Sequence, residues 1–483
     1  MDFQKYAIGE ITGVKLGLVT TIFLTGFIGI ILLPFYVYFF GAGIFWEFFG
    51  VMLCIHVVWS VEAYRLMRYA RKSECIFSLP GYFSRRFGGE GDYLRVFASC
   101  EIVIFTLVIM GFILKEFGII MNAITGFDDN VISVVFIIVI SLYIGIGGFS
   151  ALARTCKLKA VYILLAVGLI GLYMFTREDI HVLIRNMMKT DITGSVSEYL
   201  SVLYHDGDPL QPGDYVSLIS MGLLASGMPF MITSIFASAD SRVITRGKNM
   251  SVVFATLIFL VCAFMGCISR GYLYPEKITN SVSNYIKLIF DKLRSGEGLG
   301  DYVAVLYLGV IIVAFITVIE ASINNIVVII FEDILNKGRL VRIDKRHQKE
   351  ILVSISMIMG VFIYLVSLYL KDAKVSYLII YIATLGCSIS PVVFVSLCWK
   401  RMTKAGCAAG LIAGLVSVPV FKFVGFITSD GESKTLCDIL GINSIVPSMV
   451  TAVLAIVVVS LLTKKPDEAI VDEFLEVRNR IMT

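Results

Sequence analysis

Twelve apolar stretches run from Val14 to Leu462, and every second connection between them is basic while the others are neutral or acidic. They lie at about 14 to 38, 44 to 66, 96 to 124, 131 to 149, 158 to 176, 214 to 237, 250 to 272, 301 to 331, 350 to 370, 375 to 399, 404 to 427 and 444 to 463. A hydrocarbon core about 30 Å thick takes about 20 helical residues at about 1.5 Å each, so these stretches are long enough to span it. No water reaches backbone amides there, so a spanning chain forms helices or a closed barrel. The stretches are continuously apolar rather than alternating, which excludes the barrel. The expected fold is all-α: one transmembrane domain over residues 1–483 with about 12 membrane helices.

The charges set the orientation. Arg65, Arg68, Arg71, Lys72, Arg85 and Arg86 follow span two, Arg154, Lys157 and Lys159 follow span four, and Arg242, Arg246 and Lys248 follow span six. Lys337, Arg339, Arg342, Lys345, Arg346 and Lys349 follow span eight, Lys400, Arg401 and Lys404 span ten, and Lys464 and Lys465 span twelve. Cytoplasmic loops carry the Lys and Arg excess, so both termini, including the tail at 464–483, are expected in the cytoplasm of a cell-membrane protein. Asp128 and Asp129, and the acidic balance of the 177–213 loop, agree with that. The 273–300 loop carries Lys277, Lys287, Lys292 and Arg294 on the opposite side, and loops of that length obey the rule weakly.

Hydrophobic residues make up 58% of the chain, more than a soluble core needs, so most apolar side chains face lipid or other helices. The net charge of +4 sits in one set of loops and does not describe a nucleic-acid surface. Ten cysteines form no C-x-x-C pair and read as packing residues rather than metal ligands. No phosphate-binding loop, G-x-S-x-G elbow or H-E-x-x-H zinc motif is present, and no loop has room for a nucleotide-binding domain. The reading is a secondary transporter rather than an enzyme, with a small polar organic solute and the bilayer as its partners.

Span one places Thr21, Thr25 and Gly26 at mid-membrane with Pro34 beyond, a composition that lets a helix unwind and offer carbonyls to an ion or solute, or simply kink for packing. In span eight, Thr317, Glu320 and Asn324 share a face. A carboxylate at that depth lines a path for solute or protons, or bridges to a basic side chain that holds helices together. Glu47, at the outer end of span two, is a solute contact or an interfacial carboxylate beside aromatic residues. Glu62, Glu101, Lys115 and Glu116 lie near span ends and are expected to snorkel or pair.

Five motifs carry a resemblance to the sodium:solute symporter family, in order and at that family's spacing from about residue 5 to 410. Gly147, Gly148, Ala151 and Thr155 fall on its G-G-x-x-A-x-x-x-T-D-x-x-Q segment. Pro391, Leu397, Trp399, Lys400, Arg401, Thr403 and Gly406 resemble its W-K-R-x-T-x-x-G signature, and Phe331, Glu332, Asp333, Ile334 and Leu335 its T-E-D-L-Y. Leu79 to Gly88 is similar to T-L-P-E-F-L-x-x-R-F-G, and Gly227 with Pro229 to the G-x-P of core helix six.

The resemblance implies a five-plus-five inverted-repeat (LeuT-type) core, here about 14–176 and 214–399, with two peripheral helices at about 404–463. The helix that usually precedes the core is expected to be absent. Gly227 joins Thr21, Gly26, Glu47, Glu320 and Asn324 as a candidate solute contact. The family's sodium (Na+) site maps onto Ile22 and Thr25 in span one and Ala314 and Thr317 in span eight. Val318 stands where a second hydroxyl is usual, Cys156 and Lys159 replace the Asp and Gln of T-D-x-x-Q, and Leu24 replaces the acidic residue of sodium/proline symporters. The expected function is therefore sodium-coupled uptake by alternating access, with a proton-coupled or uncoupled carrier, or a transporter-like sensor, as the alternatives.

Overall fold

Glycine and proline decide where the spans break. A computed structural model describes residues 3–9, 11–72, 76–88, 93–190, 193–238, 240–276, 278, 281–295, 298–337, 346–427 and 433–479; Lys277, Arg339, Arg342 and Lys345 lie outside them. Span one is α-helical over Gly13–Leu24, widens to a π-helix over Thr25–Leu32 and resumes as Leu33–Phe40. Pro34 brings no N–H, so the carbonyls one turn earlier lose a regular partner, and the ladder slips to a wider register. The two halves are bent by 45°.

Span six breaks in the same way and by the same 45°, between Pro212–Gly227 and Pro229–Phe236. Met228, held extended at φ −74°, ψ 115° by the proline after it, is the break. The helix Asp129–Arg177 is two spans joined at Gly148, whose φ of +53° is open to glycine at little cost. A Cβ there would lie 2.6 Å from the Tyr6 carbonyl oxygen, and the Tyr6 hydroxyl donates to the Ile144 carbonyl at 3.1 Å. The short N-terminal helix Phe3–Ala7 is thereby seated in the kink.

The remaining spans are Ala42–Lys72, Tyr93–Thr125, Ser241–Tyr272, Leu299–Asn336, Gln348–Tyr369, Val375–Cys398, Lys404–Phe423 and Ile445–Leu462, so with both bent pairs and the divided helix the described residues make twelve crossings. Close backbone approaches sort them into two bodies. A Cβ on Gly17 would meet the Gly247 carbonyl oxygen at 2.4 Å, and one on Gly50 the Ile219 carbonyl oxygen at 2.2 Å, tying span one to seven and two to six. A Cβ on Gly111 would meet Val366, and one on Gly360 would meet Ser141, which ties spans three and four to nine. Spans eleven and twelve lie against span ten through Gly414 and Gly410.

The long loops carry structure that the apolar runs did not announce. Ile180–Met187, Val196–Tyr199 and a two-residue hairpin (Tyr204–His205 with Asp208–Pro209) fold over one end, and Val282–Arg294 packs beside span eight.

Candidate functional site

The broken segments of spans one and six face each other across a large cavity. It holds about 1,220 Å³ of empty space, part of it open to solvent. Leu24, Phe27 and Ile28 come from the π-helical part of span one, and Met228, Pro229 and Phe230 from the break in span six. Spans two, three, seven, eight and ten complete the wall. Almost the whole lining is hydrocarbon or aromatic. Its polar groups are Tyr36, Thr106, Ser322 and Glu47. Glu47 is the one charged side chain in the lining, and among the described residues it has no ion-pair partner. The Ser322 hydroxyl is buried and, among the described residues, has no hydrogen-bond partner.

Beneath this cavity spans one and eight touch. A Cβ on Gly26 would lie 2.9 Å from Thr317 Oγ1 and 3.1 Å from the Ala314 carbonyl oxygen, so glycine is required for the approach. Thr317 Oγ1 donates to the Ala314 carbonyl at 2.8 Å, and Thr25 Oγ1 to the Thr21 carbonyl at 3.0 Å. Thr21 itself turns back to the Gly17 carbonyl at 2.6 Å, within its own helix. Ile22 and Thr317 border a small void with Cys156, Lys159 and Glu320. Ile22, Ala314 and Thr317 therefore lie at one junction, and Thr25 stands next to it, one residue before Gly26, with its hydroxyl bonded within its own helix. Val318 borders both the junction, with its Cγ2 3.5 Å from that Gly26 Cβ, and the cavity wall.

The helical face of span eight divides in an informative way. Val318 and Ser322, one turn apart, line the cavity, whereas Glu320 and Asn324 do not. Glu320 Oε1 pairs with Lys159 Nζ at 2.5 Å, and both side chains are largely buried. Asn324 borders another small void with Asn325 and Thr233, and Thr233 Oγ1 donates to Asn325 Oδ1 at 2.7 Å. Phe230 is shared by this void and the cavity, as a partition between them. Gly227 sits behind the wall, where a Cβ would strike Ser390 Oγ at 2.4 Å.

Two expectations are corrected. Glu62 and Glu101 do not snorkel: both are buried, and among the described residues neither has an ion-pair partner. Lys115 and Glu116 do pair, at 3.3 Å.

Sequence reading missed the convergence of the quoted motifs. Ser78, which caps the helix Leu79–Phe87, donates to Asp333 Oδ2 at 2.5 Å, and the Tyr82 and Ser396 hydroxyls bond at 2.9 Å. Arg86 Nε donates to the Ser396 carbonyl at 3.1 Å, and its guanidinium lies 4.6 Å from the Phe474 ring. Phe3 stacks on Phe331 nearby. Motifs more than 300 residues apart thus build one buried polar seal at the end that carries the basic loops.

The sequence profile of the sodium:solute symporter family matches residues 6–414. The high-affinity proline transporter of Bacillus subtilis is 24% identical over 441 residues, covering 89% of this chain and 86% of that protein. The sodium/proline symporter of Haemophilus influenzae is 25% identical over 454 residues, covering 92% and 85%. Among solved structures, a sodium-coupled sialic acid symporter in a substrate-bound outward-open state superposes with a TM-score of 0.76 at 15% identity, covering 96% of this chain and 93% of that one. The likeness fixes the fold as the five-plus-five, LeuT-type architecture.

Proposed function

Because the chain belongs to the sodium:solute symporter family, we propose that its central cavity is the solute site of a sodium-coupled secondary transporter working by alternating access. The observation that carries this reading is the junction of Gly26 with Ala314 and Thr317 directly beneath a cavity walled by two broken helices. Unwound segments supply carbonyls that helices otherwise consume, and a bound cation there ties span one to span eight. The ligands are assigned as the Ile22 and Ala314 carbonyls and the Thr25 and Thr317 hydroxyls. Glu47 contacts the solute, while Thr21 and Gly26 shape the helix behind it. Gly227 lets span six break against span ten.

The cavity lies on the side away from the motif seal and its basic loops; with those loops and both termini in the cytoplasm, as the charge rule expects, this is an outward-facing form. Turning inward opens the seal and moves the Phe230 partition, and the solute then passes Asn324 and Glu320.

The test is thermal unfolding of the protein in nanodiscs in NaCl against KCl at equal ionic strength, together with sodium-driven proline uptake in proteoliposomes. Sodium should raise the midpoint, and Thr317→Ala should abolish the rise. No sodium response in the unmodified protein would sink the assignment. One observation favours a proton-coupled or uncoupled carrier as the second reading. The Lys159 ammonium, held on Glu320 beside Ile22 and Thr317, is a tethered cation next to the junction. That reading expects uptake driven by a pH gradient, or by solute alone, at zero sodium.

A further inference from the structure

A binding site selects by what it leaves unpaired, and this cavity has an unusual balance. Its lining offers one carboxyl group, Glu47, and, among the described residues, no Lys, Arg or His to hold an anion. Sugar hydroxyls entering it would lose water and find few partners beyond Tyr36, Thr106 and Ser322. Around Glu47 the wall is aromatic. Phe48 follows it in sequence and lies with Phe259 at 4.8 Å between ring centroids, and Phe27 and Tyr36 face the same space. Ring faces attract cations, most strongly where water is excluded. Ser322 adds a buried hydroxyl whose lone pairs are free to accept from an N–H donor.

We propose that the cavity takes an apolar ammonium: a hydrocarbon or aromatic body with one positively charged nitrogen and no obligatory carboxylate. Glu47 is its counter-ion, and Tyr36, Phe48 and Phe259 are its aromatic surround. The inference rests on the reading of this cavity as the solute site, and it narrows the polar solute expected from sequence to one whose polarity is a single positive charge. The hydrocarbon part gains from burial against the lining, while the charge meets a carboxylate that otherwise stands unpaired. Glu47 is only half-buried, so Glu47→Gln leaves the cavity's shape in place and should not disturb folding.

The experiment is ligand-induced thermal stabilisation in nanodiscs, with sodium present and absent, using four probes of similar size. Phenethylamine is the ammonium, phenylalanine the zwitterion, hydrocinnamate the acid and glucose the polyol. Phenethylamine should stabilise at the lowest concentration, phenylalanine less well, and hydrocinnamate and glucose not at all. Glu47→Gln should weaken phenethylamine binding by about tenfold or more while its midpoint without ligand stays unchanged. Equal or tighter binding of phenylalanine or hydrocinnamate, no binding of phenethylamine, or an unchanged affinity in Glu47→Gln would each overturn the proposal. Sodium-driven uptake is scored separately. Phenethylamine that binds through Glu47 in a protein with no sodium response would leave the ligand class standing and sink the transporter reading alone.

Discussion

At the scale of single residues, two side chains make the reading quantitative. Val318 takes the place of a hydroxyl at the junction of spans one and eight, so a cation there must find another oxygen. Val318→Thr restores one. The half-saturating sodium concentration for transport should fall by about tenfold, equivalent to about 1.4 kcal/mol, and a flux titration against sodium measures it. No change would mean the oxygen shell is already complete. His205 lies in the hairpin of Tyr204–His205 with Asp208–Pro209, stacked on Phe40 with centroids 5.0 Å apart. Burial pushes its pKa below the ordinary histidine value, and Asp206 and Asp214 only partly offset this. The folded loop thus prefers the neutral ring, and the stability it adds is complete above about pH 6.5. It is lost as pH falls through the lower folded value. Hydrogen exchange of residues 198–210 should accelerate on acidification in the unmodified protein and not in His205→Phe.

Among elements, the bridge between spans five and eight bears the most strain if broken. Lys159 and Glu320 are each other's partner in a buried setting, and removing one leaves a charge in the membrane at a cost of about 3–5 kcal/mol. Glu320→Gln should lower expression and thermal midpoint, and Lys159→Met in addition should restore them. If Glu320→Gln is stable but transport falls, the carboxylate serves the inner path instead. The elements also show what the sequence could disclose. The twelve spans were readable because hydrocarbon demands long apolar runs, and the break in span six was readable because Gly227 and Pro229 bracket it. The helix Val282–Arg294 was passed over as a loop, although Val282, Tyr285, Ile286, Ile289, Phe290 and Leu293 recur at helical spacing. The π-helical stretch of span one was not, because a register slip depends on which neighbours press on the helix. Nor could spacing show that Glu320 and Val318 face different voids: a shift of two residues turns a helix by about 200°, and only the packing of span five tells which face looks inward.

For the whole molecule, orientation and closure are linked. An impermeant thiol reagent applied to intact cells should label a cysteine at Asp208 and spare one at Lys400, both exposed positions. The reverse pattern would turn the outward-facing form into an inward-facing one without moving an atom. The seal that distinguishes the two ends was only half legible. Tyr82, Arg86 and Asp333 stood in motifs legible in the sequence, but their partners Ser396 and Ser78 and the contacts between them depend on the fold. The C-terminal helix Glu468–Asn479 reinforces the same end, with Phe474 buried under Arg86 and Glu473 on Arg85 at 3.1 Å.

A cavity whose fixed charge is one carboxylate with no basic counterpart also has an electrical meaning. A solute cation carried inward together with a sodium ion moves two positive charges, and each is worth about 2.3 kcal/mol for every 100 mV of membrane potential. Uptake through such a site is a current, and a cell with a negative interior accumulates the solute through its voltage even when the sodium concentrations on the two sides are equal.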